Sequence, residues 1–341
     1  MTGRAAVVPA ANVVHLEEIP IPGPVGLNEV LVQTECTFIS TGTELANFTG
    51  LDPGVHVPGS WNQFPARPGY ANCGRVIELG SAVDTLAVGE RVFTQRKHVS
   101  HHLVDVNDPD TIVVPVPDDV PSDLAAAVRM GMVAITAPQV ADNHVNDWVV
   151  VFGLGLVGNL AAQLFQIDGA RVIGVDPVPA RRQLAKRVGI QRVIGEDMTD
   201  IAEKVRDLTG GGAQTVVEAV GHAGVAQTAI HSAAPYGELI LLGSPRAPVT
   251  ADLNDFLQPV HKSWVTIKGA LEHRLPINPS TRGHPLSIAG NARTILSLVS
   301  AGRLRLAELI SHRLPANQIA AAYDGLLNEP NEYWGVALDW R

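Results

Sequence analysis

Residues 148–158 read WVVVFGLGLVG. The run Trp148 to Phe152 is apolar throughout, as in a strand buried on both faces of a parallel sheet. It leads directly into Gly153-Leu154-Gly155-Leu156-Val157-Gly158, a G-x-G-x-x-G pattern placed at a strand-to-helix turn. Each glycine answers a physical need. Gly153 permits the tight turn, Gly155 lets the backbone approach a pyrophosphate, and Gly158 lets the helix pack close to the sheet. The free N–H groups of the first helical turn, at Leu156 and Val157, then face the anion. Behind them Val157, Leu160, Ala161, Leu164 and Phe165 repeat at helical spacing. A second apolar run, RVIGV (171–175), ends at Asp176, 23 residues after Gly153. A carboxylate at that distance is where the adenosine ribose of a dinucleotide is met. It accepts hydrogen bonds from a 2′-hydroxyl and repels a 2′-phosphate, so NAD is expected and NADP disfavoured. Arg181 and Arg182 could counter that repulsion, which makes Arg181 a candidate cofactor contact. Their simpler reading is the surface of the next helix.

Outward from this unit, strand-like and helical runs alternate. RVI (192–194), TVVEA (215–219), ELILL (238–242) and WVTIK (264–268) add four strands, and six strands with helical crossovers predict a doubly wound parallel sheet. Residues before 120 differ. Val30 to Val32, GRVIELG (74–80) and GERVF (89–93) are short β-rich pieces, and prolines recur from Pro20 to Pro24 and at 53, 58, 65 and 68. That punctuation predicts a β module with long loops. PSDLAAAVRMGMVAITAPQVA opens a helix with Ser122 as its cap. After 270 come a helix (PLSIAGNARTILSLVSAGRL), a strand (LAELISHRL), a helix (ANQIAAAYDGLL) and a last strand, GVALDW. This last strand is expected to pair with the N-terminal module. The division is therefore 1–129 for the β module, 130–268 for the nucleotide unit and 269–341 for the return.

The chain has 341 residues, 36.1 kDa, a formal charge of −9 and a pI near 5.7. An acidic surface argues against nucleic acid or an anionic membrane as the main partner. Apolar residues at 46% and charged ones at 17% fit a globular chain rather than a disordered one. Two cysteines, Cys36 and Cys73, make neither a disulfide framework nor a four-cysteine zinc lobe. Their scarcity fits a reducing cytoplasm. Pro9 and Asn12 break the N-terminal apolar stretch, which does not read as a signal peptide. The longest low-polarity run, Trp148 to Gly158, is far too short to span a membrane.

GRVIELGSAVDTLAVGERV, FGLGLVG, VVEAVG, ELILLG and the closing GVALDW together resemble the medium-chain dehydrogenase/reductase family, over nearly the whole length. The resemblance implies a GroES-like β module plus a Rossmann domain, reversible NAD(P)-dependent hydride transfer, and a homodimer or homotetramer. It also implies that Gly243 and Ser244, ending ELILLG, meet the nicotinamide, and that Gly269 and Ala270 line the same cleft.

Many relatives hold a catalytic zinc with Cys, His and Cys, and here the motif departs. In ISTGTEL (39–45) Thr41 stands at the first cysteine. In PGYANCG (68–74) Tyr70 replaces the histidine and Ala71 the glutamate, and the second cysteine falls near Val128. Threonine, tyrosine and valine are not zinc ligands, so no metal is expected. His98, His101 and His102 in KHVSHH read as a solvated or pocket-lining loop rather than a replacement site. STGTE, P-G-Tyr and ISHRLPANQIAAAY…LDW look like the zinc-lacking subgroup with the bacteriochlorophyllide-type 2-hydroxyethyl dehydrogenases. Ala71 departs from that subgroup's Glu, so the pigment substrate does not carry over.

Hydride transfer to a carbonyl builds charge on oxygen, which some group must stabilise or protonate. Without zinc, hydroxyls are the candidates: Tyr70 as main donor, Thr43 as relay and Thr41 as a secondary donor. Glu44 reads as structural. In the loop 51–70, Trp61, Asn62 and Gln63 offer an aromatic face and amides suited to a polyhydroxy or cyclic substrate. The expectation is a zinc-independent, NAD(H)-dependent oxidoreductase of a secondary alcohol or ketone, of sugar, cyclitol or natural-product type. An enoyl or quinone reductase is the first alternative, and a non-catalytic dinucleotide sensor the second.

Overall fold

The computed structural model describes residues 2–195, 199–279 and 285–341. Its first strands are β1 (Thr2–Ala10), β2 (Val13–Pro20), β3 (Glu29–Phe38), β4 (Asn72–Leu79), β5 (Arg91–Thr94), β6 (His101–Asp105) and β7 (Val113–Pro115). Then follow β8 (Trp148–Phe152), β9 (Arg171–Val175), β10 (Arg192–Ile194), β11 (Ala213–Glu218), β12 (Ala233–Leu241) and β13 (Thr266–Gly269). β14 (His312–Pro315) and β15 (Val336–Asp339) close the chain. Two units emerge, one of residues 1–132 with 273–341 and one of 133–272. The boundaries expected at 129/130 and 268/269 lie a few residues earlier. Chain past 268 still belongs to the inserted unit, because Gly269 ends β13 and the Ala270 N–H donates to the Leu241 carbonyl at 3.0 Å.

The inserted unit is a six-stranded sheet in the order β10-β9-β8-β11-β12-β13, with every pairing parallel. This is the doubly wound Rossmann order. β8 lies at the centre with all five residues buried, as its unbroken apolar run requires. Val150, Phe152, Ile173, Val216 and Leu239 share one core on the sheet with helical residues Ile201, Val205 and Ile230. The six expected strands are all present. The last begins at Thr266 rather than Trp264, whose backbone takes a left-handed φ of 54°.

The flanking unit is GroES-like. Its main sheet runs β14-β15-β3-β4-β5-β7, with β6 also on β3, and the β1–β2 hairpin stands beside it. Val30, Val32, Val76, Val92 and Val104 fill one core. A second core gathers Ile39, Phe48, Tyr323, Leu338 and Trp340 from both ends of the chain. β15 pairs antiparallel with β3, Ala337 opposite Phe38, as expected of the closing strand. Ser122 does not cap its helix. It is the first residue of the helix Ser122–Ala134, and its hydroxyl donates instead to Glu35 Oε2 at 2.5 Å. Among the described residues no helix is long and apolar enough to cross a membrane.

Candidate active site

In the inserted unit the glycine turn follows its expected geometry. Gly153 takes φ 91°, a conformation open to glycine. A Cβ on Gly158 would lie 1.9 Å from the Gly153 carbonyl oxygen, so only glycine lets the helix Leu156–Ile167 start there. At Gly155 an added Cβ would meet nothing within 4 Å, which leaves open space over the turn. No side chain caps this helix, so its first N–H groups stay available to an anion.

Asp176 follows β9 directly and is 1% exposed. Its Oδ2 accepts from the Leu154 N–H and its Oδ1 from the Val178 N–H, both at 2.8 Å. The carboxylate is thereby fixed against the glycine turn. Arg181 Nη1 lies 3.7 Å from Asp176 Oδ2. Arg182 corrects the surface expectation. It is buried, and its guanidinium donates to the Asp176 and Pro177 carbonyls at 2.8 Å, so it braces the strand end.

Gly243 and Ser244 pack on the turn after β11, where a Cβ on Gly243 would lie 2.2 Å from the Gly221 nitrogen. That turn is held by Glu218, whose Oε1 accepts from the Val220 and Gly221 N–H groups at 2.9 Å. Gly269 has open space around it. The Ala270 carbonyl accepts from Thr136 Oγ1 at 2.6 Å.

In the flanking unit, Tyr70 donates its hydroxyl hydrogen to Ser40 Oγ and also bonds the Thr43 side chain. Arg129, 3% exposed, lies over the Tyr70 ring with its guanidinium carbon 4.8 Å from the centroid. Burial pushes the phenol pKa up; Arg129 and the two hydroxyls pull against that shift, and Glu44 adds to it. The net direction is upward, so the phenol keeps its proton through neutral pH. No hydrogen bond joins Thr41 to this group among the described residues.

Glu44 fits its structural reading, as a carboxylate in the first turn of a helix. It lies buried on the helix Thr43–Thr49. Its Oε1 accepts from the Ser40 N–H at 2.8 Å. Its Oε2 meets His98 Nε2 at 2.9 Å and accepts from the Tyr323 hydroxyl at 2.6 Å. His98 is 0% exposed, so a solvated loop is the wrong description. His102 is an inward residue of β6, bonded to Thr94 Oγ1 at 3.0 Å, and burial pushes its pKa down to about 3. His101 is half-buried on the same strand.

Tyr70 is engaged with Ser40 and Thr43, Val128 offers no donor atom, and a guanidinium stands on the tyrosine ring. Among the described residues no three His, Cys, Asp or Glu side chains are grouped to hold a metal. The residues present do not fit zinc.

Trp61, Asn62 and Gln63 all border recesses of this unit. The Asn62 amide is spent within the loop, donating to Asn47 Oδ1 at 2.9 Å and accepting from Ser60 at 2.6 Å. Gln63 Oε1 accepts from the Gly59 N–H at 2.7 Å. Trp61 stays exposed, with Lys97 Nζ 5.9 Å from its ring centre. Ser40, Tyr323, Arg129 and Lys97 carry no motif that marks them as site residues in the sequence. Ser40 sits inside the ISTGTEL motif itself and was the one within reach.

Residues 157–274 match the family model described as zinc-binding dehydrogenase. A D-guloside 3-dehydrogenase of Shigella flexneri is 30% identical over 232 residues, 62% of this chain and 65% of that relative's length. An L-threonine 3-dehydrogenase of Xanthomonas oryzae pv. oryzae is 26% identical over 336 residues, covering 83% of this chain and 95% of the relative. The crystal structure of 2R,3R-butanediol dehydrogenase from Bacillus subtilis superposes with a TM-score of 0.82 at 19% identity, over 99% of this chain and all of that one.

Proposed function

We propose that this chain is a medium-chain dehydrogenase/reductase that works as a zinc-independent, NAD(H)-dependent oxidoreductase of a secondary alcohol or ketone. The observation that carries the proposal is the protonated Tyr70 phenol, held by Ser40 and Thr43 where the metal-bearing relatives place a metal ligand. The names of the guloside and threonine relatives, both 3-dehydrogenases, support a secondary-alcohol substrate.

The dinucleotide, when bound, accepts or supplies the hydride. Gly155 and the N–H groups at Leu156 and Val157 receive its pyrophosphate, and Asp176 takes the adenosine ribose. In the direction of reduction, Tyr70 donates a hydrogen bond to the carbonyl oxygen. As the carbon gains hydride, the phenol proton passes to that oxygen. One proton taken from solvent then reaches the phenolate through the Ser40 or Thr43 hydroxyl, which gives up its own hydrogen and gains another. Arg129 stabilises the phenolate while it lasts. Oxidation runs the same steps in reverse.

The experiment is incubation with NAD and a panel of polyols, cyclitols and secondary alcohols, while reduced-nicotinamide absorbance is followed. Turnover of an alcohol supports the proposal. Reduction of enones or quinones alone, or cofactor binding with no turnover, overturns it.

Replacing Asp176 tests the cofactor choice. Asp176→Ser removes the carboxylate that repels a 2′-phosphate and leaves Arg181 free to meet it. The NAD-over-NADP preference in kcat/KM is expected to fall by about 10–100-fold, the worth of one charge-assisted hydrogen bond. A preference left within twofold refutes the role of Asp176.

A homo-oligomer is also proposed. β13 ends its sheet, Ile267 on it is partly exposed, and Tyr236 and Trp264 stack on the surface nearby with ring centres 4.8 Å apart. The unpaired backbone groups of an edge strand are a template for pairing with a second copy. Light scattering is expected to give a multiple of 36.1 kDa; a monomer at micromolar concentration refutes it.

A further inference from the structure

Beside Tyr70 the flanking unit holds a cavity of about 30 Å³, bordered by Glu44, Trp61, Tyr70 and Lys97. Such a volume holds one or two waters, or the two oxygens of a carboxylate. It shares Trp61, Arg67 and Lys97 with a wider, more open recess of about 430 Å³. The charges at this site are unevenly matched. Arg67 pairs with Glu17 at 3.2 Å. Both Glu44 oxygens are engaged by Ser40, His98 and Tyr323. The Lys97 ammonium has the Trp61 ring at 5.9 Å and, among the described residues, no hydrogen bond or ion pair.

The lysine is not there by looseness of the chain. Its carbonyl accepts from Asn72 Nδ2 at 3.3 Å, and the next N–H, of His98, donates to the Pro68 carbonyl at 3.0 Å. A half-buried ammonium with no hydrogen-bonded counter-ion is costly. Burial pushes its pKa below that of an ordinary lysine, against the opposing pull of Glu44. An anion brought by a ligand relieves that cost with a charge-assisted hydrogen bond.

We propose that Lys97 binds a carboxylate of the substrate, which makes the substrate class a hydroxy acid, such as a sugar acid, rather than a neutral polyol. The carboxylate occupies the narrow cavity, with its hydroxylated chain along the wider recess and the face of Trp61. Because Tyr70 borders the same cavity, the reacting carbon lies within a few bonds of the carboxylate. This inference rests on the oxidoreductase reading, and its first test does not.

That test uses the full chain with its five lysines labelled by ¹³C-dimethylation, and Lys97→Gln to assign the Lys97 signal. Acetate, glycolate and D-gluconate are titrated, with D-glucitol as the neutral control. The Lys97 signal is expected to shift saturably with the carboxylates and not with glucitol. No saturable shift with any of them up to about 100 mM, a Kd limit above the millimolar range, overturns the inference. In turnover, Lys97→Gln should lower the kcat/KM ratio of hydroxy acid over neutral alcohol about 10–100-fold, mainly through KM. An unchanged ratio also overturns it. If carboxylates shift the signal but no alcohol is oxidised, the oxidoreductase reading fails and the anion site stands. If neutral alcohols turn over while the signal stays silent, the reverse holds.

Discussion

Tyr70→Phe is expected to lower turnover by about 10²–10⁴-fold, the usual worth of a positioned general acid. The substitution removes one oxygen and leaves the ring under Arg129 in place. Cofactor binding, in the other unit, should not change, so dinucleotide affinity serves as the internal control. The pH profile gives a second readout. The Tyr70 pKa lies above its ordinary value, with burial as the largest cause. Carbonyl reduction by the wild-type chain should therefore lose no activity to Tyr70 ionisation below about pH 10. Near-normal turnover in Tyr70→Phe would leave the tyrosine as packing and move the proton-donor role elsewhere.

Loss of Glu44 should show in stability before it shows in catalysis. Glu44→Ala strips a buried carboxylate from His98, from the Tyr323 hydroxyl and from the Ser40 N–H. Breaking a buried charged network by removing one partner costs about 3–5 kcal/mol. Tyr323 also meets Phe48 edge-on at 4.9 Å, so the damage reaches the core shared by both ends of the chain. Denaturant unfolding measures the loss, and a change under 1 kcal/mol would contradict this account. Acid should act in the same direction. Burial alone would raise the Glu44 pKa, but His98 and the hydrogen bonds hold it below the ordinary carboxylate value. A depressed acid contributes stability that is present in full above its unfolded pKa and is lost as pH falls through the folded one. The wild-type chain should thus lose stability below about pH 4.5, and Glu44→Gln should lose less of it over that range.

The dinucleotide unit was legible because local chemistry specifies it. A strand buried on both faces must be apolar throughout, a turn that receives phosphate needs glycine, and a ribose contact needs a carboxylate at the next strand end. WVVVF, the glycine turn and Asp176 satisfy these demands within 30 residues. The proposed oxygen-polarising site was legible only in part. Tyr70 and Thr43 stood out against the family motif. Arg129 over the Tyr70 ring, and His98 and Tyr323 on neighbouring Glu44, come from far along the chain, and no local periodicity relates them. His98 shows the difficulty: in sequence KHVSHH is a polar stretch, yet its first histidine is fully buried because Glu44 awaits it. Arg182 erred the same way, since an arginine on a helix reads as solvated until two backbone carbonyls are found to hold it.

The place of β15 has a consequence for biosynthesis. Residues 336–339 lie inside their sheet, between β14 and β3, so the Cys36–Phe38 end of β3 gains its neighbour only when the last strand arrives. Ribosomes extend chains at about 5–20 residues per second, and domains fold as units during synthesis. The dinucleotide unit, contiguous in sequence, can finish while that end of β3 still shows unpaired backbone. Between residue 272 and the end of β15, for roughly 3–14 s at such rates, the nascent chain carries both a folded domain and an open strand edge. That interval is when a chaperone would find the open strand edge, and when slowed translation of residues 273–339 would raise aggregation most.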